Sequence, residues 1–187
     1  MKRAIFLLSF IAFTLVGQAS PPPLKSPVFS DTLATIPGAG DMLDQILAAT
    51  GLQANFELRE ADVMNIEAVI SHRKRYIYYN ASYIDRLNKL AKNKWAAMTL
   101  LAHEVGHHLN GHTIRKKGSS PQLELEADEF AGFILHKLGA TLEQSQEVMN
   151  FIAKAEASGT HPGRQSRMQA IEKGWTRGGD ASIAKTH

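Results

Sequence analysis

The chain has 187 residues and no cysteine. That absence excludes disulfides, a lipid-modified cysteine behind a leader, and any thiolate metal site. A bound metal must therefore rest on histidine and carboxylate ligands. Excess charge is missing as well: the formal net charge of +3 includes Lys2 and Arg3, so the remainder carries +1. Its basic residues are scattered apart from Arg73-Lys74-Arg75 and Arg115-Lys116-Lys117. Both runs sit beside turn signals and read as solvated loops, so no nucleic-acid partner is expected. Long apolar runs are lacking too. The one run present, Ala4 to Val16, falls short of the ~20 residues that a membrane span requires. There is no internal repeat.

What is present begins with a leader. Lys2 and Arg3 precede the apolar run, and Gly17-Gln18-Ala19 places small residues before Pro21-Pro22-Pro23. This is the pattern of a signal peptide over 1–19, with cleavage expected near Ala19 or Ser20; the alternative is an uncleaved anchor. Residues 20–40 are rich in Pro, Ser, Thr and Gly and form an expected linker. The expected location is periplasmic or secreted, with no transmembrane helix in the mature chain and peripheral membrane association left open.

Beyond the linker the pattern predicts one α+β domain over 41–175. Met42, Leu43, Ile46 and Leu47 recur at helical spacing up to Gly51. Asn55 to Arg59, Ile66 to Ser71 and Arg75 to Asn80 are enriched in strand formers, the last two joined by the turn candidate Ser71-His72-Arg73-Lys74. Helical patterning returns over Ala81 to Leu90 and again over Lys94 to Gly111, where apolar residues cover most of the circumference. Ser120-Pro121 marks the cap and first residue of a helix to about Lys137. Thr141 with Gln144 forms a capping box that opens a helix to about Ala157. A last short helix is expected to end at Lys173. The polar, Gly-rich sequence from Gly174 reads as a tail, flexible over 176–187.

Chemistry concentrates in His103-Glu104-Val105-Gly106-His107. Residues four apart on a helix differ by about 40° around the axis, so the two imidazoles project from one face and can share one metal ion. Glu104 lies about 100° round from His103, within reach of a metal-activated water without displacing a ligand. A carboxylate there can take a proton as water attacks a carbonyl and return it to the leaving amine. His108, about 140° from His103, reads as a packing or surface residue.

Hydrolytic zinc takes three protein ligands as a rule. His112 is one candidate for the third, but the known extension of the motif needs Gly at 110 and His at 113, where Asn110 and Thr113 stand. It also lies about 180° from His103 on a continued helix. Glu124 is the other candidate. Glu124 and Asp128 share a face beside the apolar stripe of Leu123, Ala127, Phe130, Ile134 and Leu138, while Glu126 and Glu129 point elsewhere. A carboxylate pair beside a core stripe needs neutralising, which a metal on Glu124, with Asp128 orienting a ligand, would provide. An acidic first turn favouring the helix N-terminus is the plainer explanation.

His103-Glu104-x-x-His107, then Glu124-x-x-x-Asp128, then Thr160-His161-Pro162 with Arg167 resemble the M48 zinc metallopeptidases. That family includes membrane proteases, prenyl-peptide proteases and small periplasmic relatives. The resemblance runs from roughly Tyr76 to Ile171. It implies a zincin-like fold of the gluzincin kind, with a small β-sheet and an active-site helix followed by further helices. It also implies one Zn2+ per chain, held by His103, His107 and Glu124. On the same resemblance Asp128 supports a histidine of the first motif, His161 donates to the developing oxyanion, and Arg167 orients the acidic motif. The spanning helices of the membrane members have no counterpart here. The expected activity is therefore a zinc metalloendopeptidase of the small soluble kind, with Glu104 and His161 catalytic and unfolded or flexible protein as substrate. Ile66 to Ser71 or Arg75 to Tyr79 would offer a strand edge to that substrate. The alternative is a latent or non-catalytic zinc-binding chaperone or interaction protein of the envelope, its cleft covered by residues 20–40 or by Trp175 to His187.

Overall fold

The computed structural model describes residues 38–114, 120–159 and 161–180. The leader over 1–19 and nearly all of the 20–40 linker lie outside them, as do the basic run at 115–117, Thr160 and residues 181–187. Among the described residues no helix is long and apolar enough to cross a membrane.

Helix α1 (Ala39–Thr50) buries Met42, Leu43 and Ile46 and stops at Gly51, whose φ of 69° lies in the left-handed region that favours glycine. Three strands follow: β1 (Glu57–Glu60), β2 (Ile66–Ser71) and β3 (Lys74–Tyr79). They form one sheet in the order β1-β3-β2, with β1 parallel and β2 antiparallel to β3. The expected hairpin is present. His72 and Arg73 both take left-handed backbone (φ 50° and 64°), the two-residue turn whose twist matches a hairpin, here built without glycine. Because β3 is paired on both sides, Arg75 to Tyr79 has no open edge; β2 has one.

Asn80 caps helix α2 (Ala81–Ala91), its side chain accepting the Tyr83 N–H. Helix α3 (Trp95–Leu109) is buried without interruption from Ala96 to His108 and forms the spine of the domain. It packs against α1, α2 and the sheet on one side and against helix α4 (Pro121–Lys137) on the other. Arg75, reaching from β3, donates to the His108 carbonyl and sets a cation against the C-terminal end of α3. Ser120 and Pro121 start α4 as expected, with Ser120 Oγ accepting from the Leu123 N–H.

The helical region after Gly139 departs from expectation twice. The Thr141–Gln144 capping box is present, but the helix it opens is short. Helix α5 (Leu142–Gln146) gives way to α6 (Val148–Ile152), and the chain turns extended at Ala153 instead of continuing to Ala157. The Ala153 carbonyl is captured by the Arg164 guanidinium, and Ala155 and Ala157 are exposed, so continued helix would bury nothing. The second departure is helix α7 (Arg164–Gly179), which continues past Lys173 into the expected tail as far as Gly179. Its glycines are contact residues. A Cβ on Gly174 would lie 1.8 Å from the Glu129 carbonyl oxygen, and one on Gly132 of α4 would lie 2.0 Å from that of Ile171. Absent side chains let α4 and α7 touch backbone to backbone, and that contact keeps α7 helical to its end.

These close separations involve backbone, which cannot step aside, so Gly132→Ala and Gly174→Ala should each lower stability by ~1–3 kcal/mol despite the better helix propensity of alanine. Gly40→Ala, whose Cβ meets nothing within 4 Å, should hold or slightly raise it. Denaturant unfolding midpoints of the three variants decide the matter; an unchanged Gly132→Ala would refute the close crossing.

Candidate metal centre

His103 and His107 sit one turn apart on the buried face of α3, their rings 4.7 Å apart and nearly perpendicular. The two Nε2 atoms converge to 3.0 Å. Glu124, in the first turn of α4, brings Oε2 to 3.5 Å from His103 Nε2 and Oε1 to 3.7 Å from His107 Nε2. The close approach of α4 depends on Gly106. A Cβ there would meet Phe130 Cδ1 at 3.0 Å and the Ala127 Cα at 3.3 Å, so a larger residue would lift Glu124 away from the histidines. All three residues are buried.

The separations fit a shared ion. Tetrahedral ligands bonded at ~2.0–2.1 Å stand ~3.3 Å from one another, and 3.0–3.7 Å brackets that value. The histidine protonation agrees. His103 Nδ1 lies 2.8 Å from Asp128 Oδ1, and a carboxylate only accepts, so Nδ1 carries the proton and donates. Asp128 is in turn clamped by Arg167, whose Nε and Nη2 each donate at 2.7 Å to a different carboxylate oxygen. Burial works to lower the pKa of His103, yet Asp128 and Glu124 outweigh it and raise it to about 9. Burial and the charge on His103 together lower His107 to about 3. Asp128 and Glu124 thus favour positive charge on His103, whereas His107 stays neutral. Two imidazole nitrogens and one carboxylate are a donor set suited to a divalent ion of the zinc kind. A His/His/Glu cluster able to hold a metal is therefore present.

Glu104 lies beside this triad. Its Oε2 accepts the Ala68 N–H of β2 at 2.7 Å, and the residue is buried. Burial raises its pKa to about 8; the charge on His103 opposes the shift and that on Glu124 adds to it. Ala68 stands opposite Ile77 at a position whose N–H points off the open edge of β2, so this edge faces the cluster.

The structure also corrects the sequence reading. His112 is no member of the triad, as expected, yet it is buried directly behind it, Nδ1 to Nδ1 with His107 at 2.9 Å. Gly111 (φ 71°) breaks α3, and the following 3₁₀ turn, His112–Ile114, folds the ring back. Glu126 does not point away from the site, because its Oε2 lies 2.9 Å from His112 Nε2. Glu129 does point elsewhere, to Lys173 and Arg177. His108 is a packing residue: it donates from Nε2 to the Tyr76 carbonyl and stacks on Phe56. The backbone of His161 bridges to Ser158, and among the described residues no hydrogen bond joins its ring to the cluster. The signal for His112 lay in its five-residue offset from His107 across a glycine, which takes it off the helix on which its angle was reckoned.

Removing Arg167 strands a buried carboxylate. Arg167→Met should cost ~3–5 kcal/mol, and adding Asp128→Asn should recover part of the loss. Denaturant unfolding of the single and double variants measures both; equal stabilities would remove the clamp from the account.

The model of peptidase family M48 matches residues 116–174, less than half of the chain. Over those residues the chain is similar to that family. The match covers Glu124, Asp128 and Arg167 and stops short of the α3 histidines, so α3 is independent testimony to the same site. Searches of curated proteins and of solved structures give no match.

Proposed function

We propose that this chain is an M48-type zinc metalloendopeptidase that hydrolyses peptide bonds in unfolded or flexible protein of the cell envelope, having been exported by its leader. The observation that carries the reading is the meeting of His103, His107 and Glu124 with Glu104 alongside, at the open edge of β2. Zinc on the three ligands would polarise the substrate carbonyl and acidify a water molecule.

The protein's own groups account for the rest. An extended peptide can pair with the outer edge of β2, which fixes its carbonyls relative to α3. The Ala68 N–H holds one oxygen of Glu104 and leaves the other to take a proton from the attacking water and return it to the departing amine. A carboxylate that burial pushes up to about 8 against the opposing charge of His103 titrates in the range that two-way proton traffic requires. His161 is assigned as donor to the oxyanion, on the strength of its place in the family's third motif. Arg167 holds Asp128, and Asp128 holds His103. A non-catalytic zinc-binding chaperone would need no buried base beside its metal, and Glu104 stands against that alternative.

Glu104→Gln is expected to retain about one zinc per chain and to lose casein cleavage by ~10²–10⁴-fold. Loss of metal by wild type and variant alike would overturn the site, whereas metal without cleavage in both would turn the reading toward binding or latency. N-terminal sequencing of the exported protein should begin near Ser20.

A further inference from the structure

We infer that His112 and Glu126 form a relay that positions the second histidine, holding the His107 ring with Nε2 as the metal-binding nitrogen. The inference rests on the metal-centre reading and concerns residues that it leaves unused.

The observation is a chain of three close contacts. Gln122 Nε2 donates to Glu126 Oε1 at 3.0 Å, Glu126 Oε2 lies 2.9 Å from His112 Nε2, and His112 Nδ1 lies 2.9 Å from His107 Nδ1. The direction of the protons follows from the end of the chain. A carboxylate only accepts, so His112 donates from Nε2. In its neutral form the His112 ring then presents a lone pair at Nδ1, to which His107 donates from its own Nδ1. That leaves the lone pair of His107 on Nε2, aimed at His103 and Glu124. The rings of His107 and His112 meet nearly edge to face, centroids 5.1 Å apart, so the contact also fixes the plane of His107.

Both α3 histidines therefore end on a carboxylate of α4, by different routes. His103 reaches the buried Asp128 directly, whereas His107 reaches Glu126, which is 40% exposed, through an interposed imidazole. The longer route is a geometric need. Glu126 lies about 200° around α4 from Glu124, so it cannot approach His107 itself. The turn after Gly111 delivers the ring that closes the gap.

The test is zinc affinity of the full chain by chelator competition at fixed neutral pH. His112→Leu, which removes the acceptor, should weaken zinc about 10- to 100-fold. His112→Asn, whose carboxamide oxygen accepts the same proton, should restore most of that loss. A merely structural histidine would not be rescued in this order. Nitrogen-15 NMR of zinc-loaded wild type should show His107 protonated at Nδ1 and His112 protonated at Nε2, and this readout stands even if His112→Leu fails to fold. An unprotonated His107 Nδ1, or a His112→Leu that binds zinc like wild type, overturns the relay and leaves the metal centre standing. A wild type that takes no zinc overturns both.

Discussion

The interaction on which the structure turns is the buried carboxylate of Asp128. It is fully enclosed, yet it holds an imidazole of α3 on one oxygen and both arms of an α7 guanidinium across the pair. Burial alone would raise its pKa, but the charges of Arg167 and His103 keep it below the usual carboxylate range. A charge in such a place is tolerable only while all its partners stay in position. The side chain is thus a three-way joint: moving α7 exposes a bare carboxylate, and moving α3 leaves His103 with no acceptor to orient it.

That joint demands helices closer than ordinary side chains allow. Gly106 admits α4 to α3, and Gly132 with Gly174 admits α7 to α4. The same helix α4 then serves the cluster at three positions: Glu124 meets both histidines, Glu126 reaches one through His112, and Asp128 takes the other. An alternation of two is unusual on a helix, where residues two apart diverge by about 200°. It works here because the partners approach α4 from different directions, α3 on one flank and the 3₁₀ turn on another.

These arrangements also explain what was legible in the sequence. His103, Glu104 and His107 could be read because one regular helix carries them and its periodicity alone places them together. Glu124 and Asp128 were legible by the same periodicity, together with the discomfort of two carboxylates beside Ala127 and Phe130. The hairpin showed in its strand formers, although no glycine marked the turn. What failed were judgements that treat glycine only as a breaker. Gly174, Gly178 and Gly179 look like a tail when read alone, whereas in the fold they are the surface on which α4 lies. His112 escaped for the converse reason, because its angle was computed on a helix that Gly111 had already ended. Local pattern does not say whether a glycine ends a helix or admits a neighbour to it. The facing element decides.

The coupling of β2 to Glu104 carries the functional argument furthest. A general base needs a fixed position, and in the role proposed for it Glu104 takes its anchor not from another side chain but from the Ala68 N–H on the strand edge where an extended peptide would dock. On the proposed function, substrate binding and base placement would draw on the same few ångströms of backbone. A peptide that shifts β2 shifts Glu104 with it, and one that pairs in register finds the carboxylate already aligned. Mere burial of a carboxylate on α3 would call for some donor, but not for one on this strand edge. A hydrolytic site that must align its base with its substrate does.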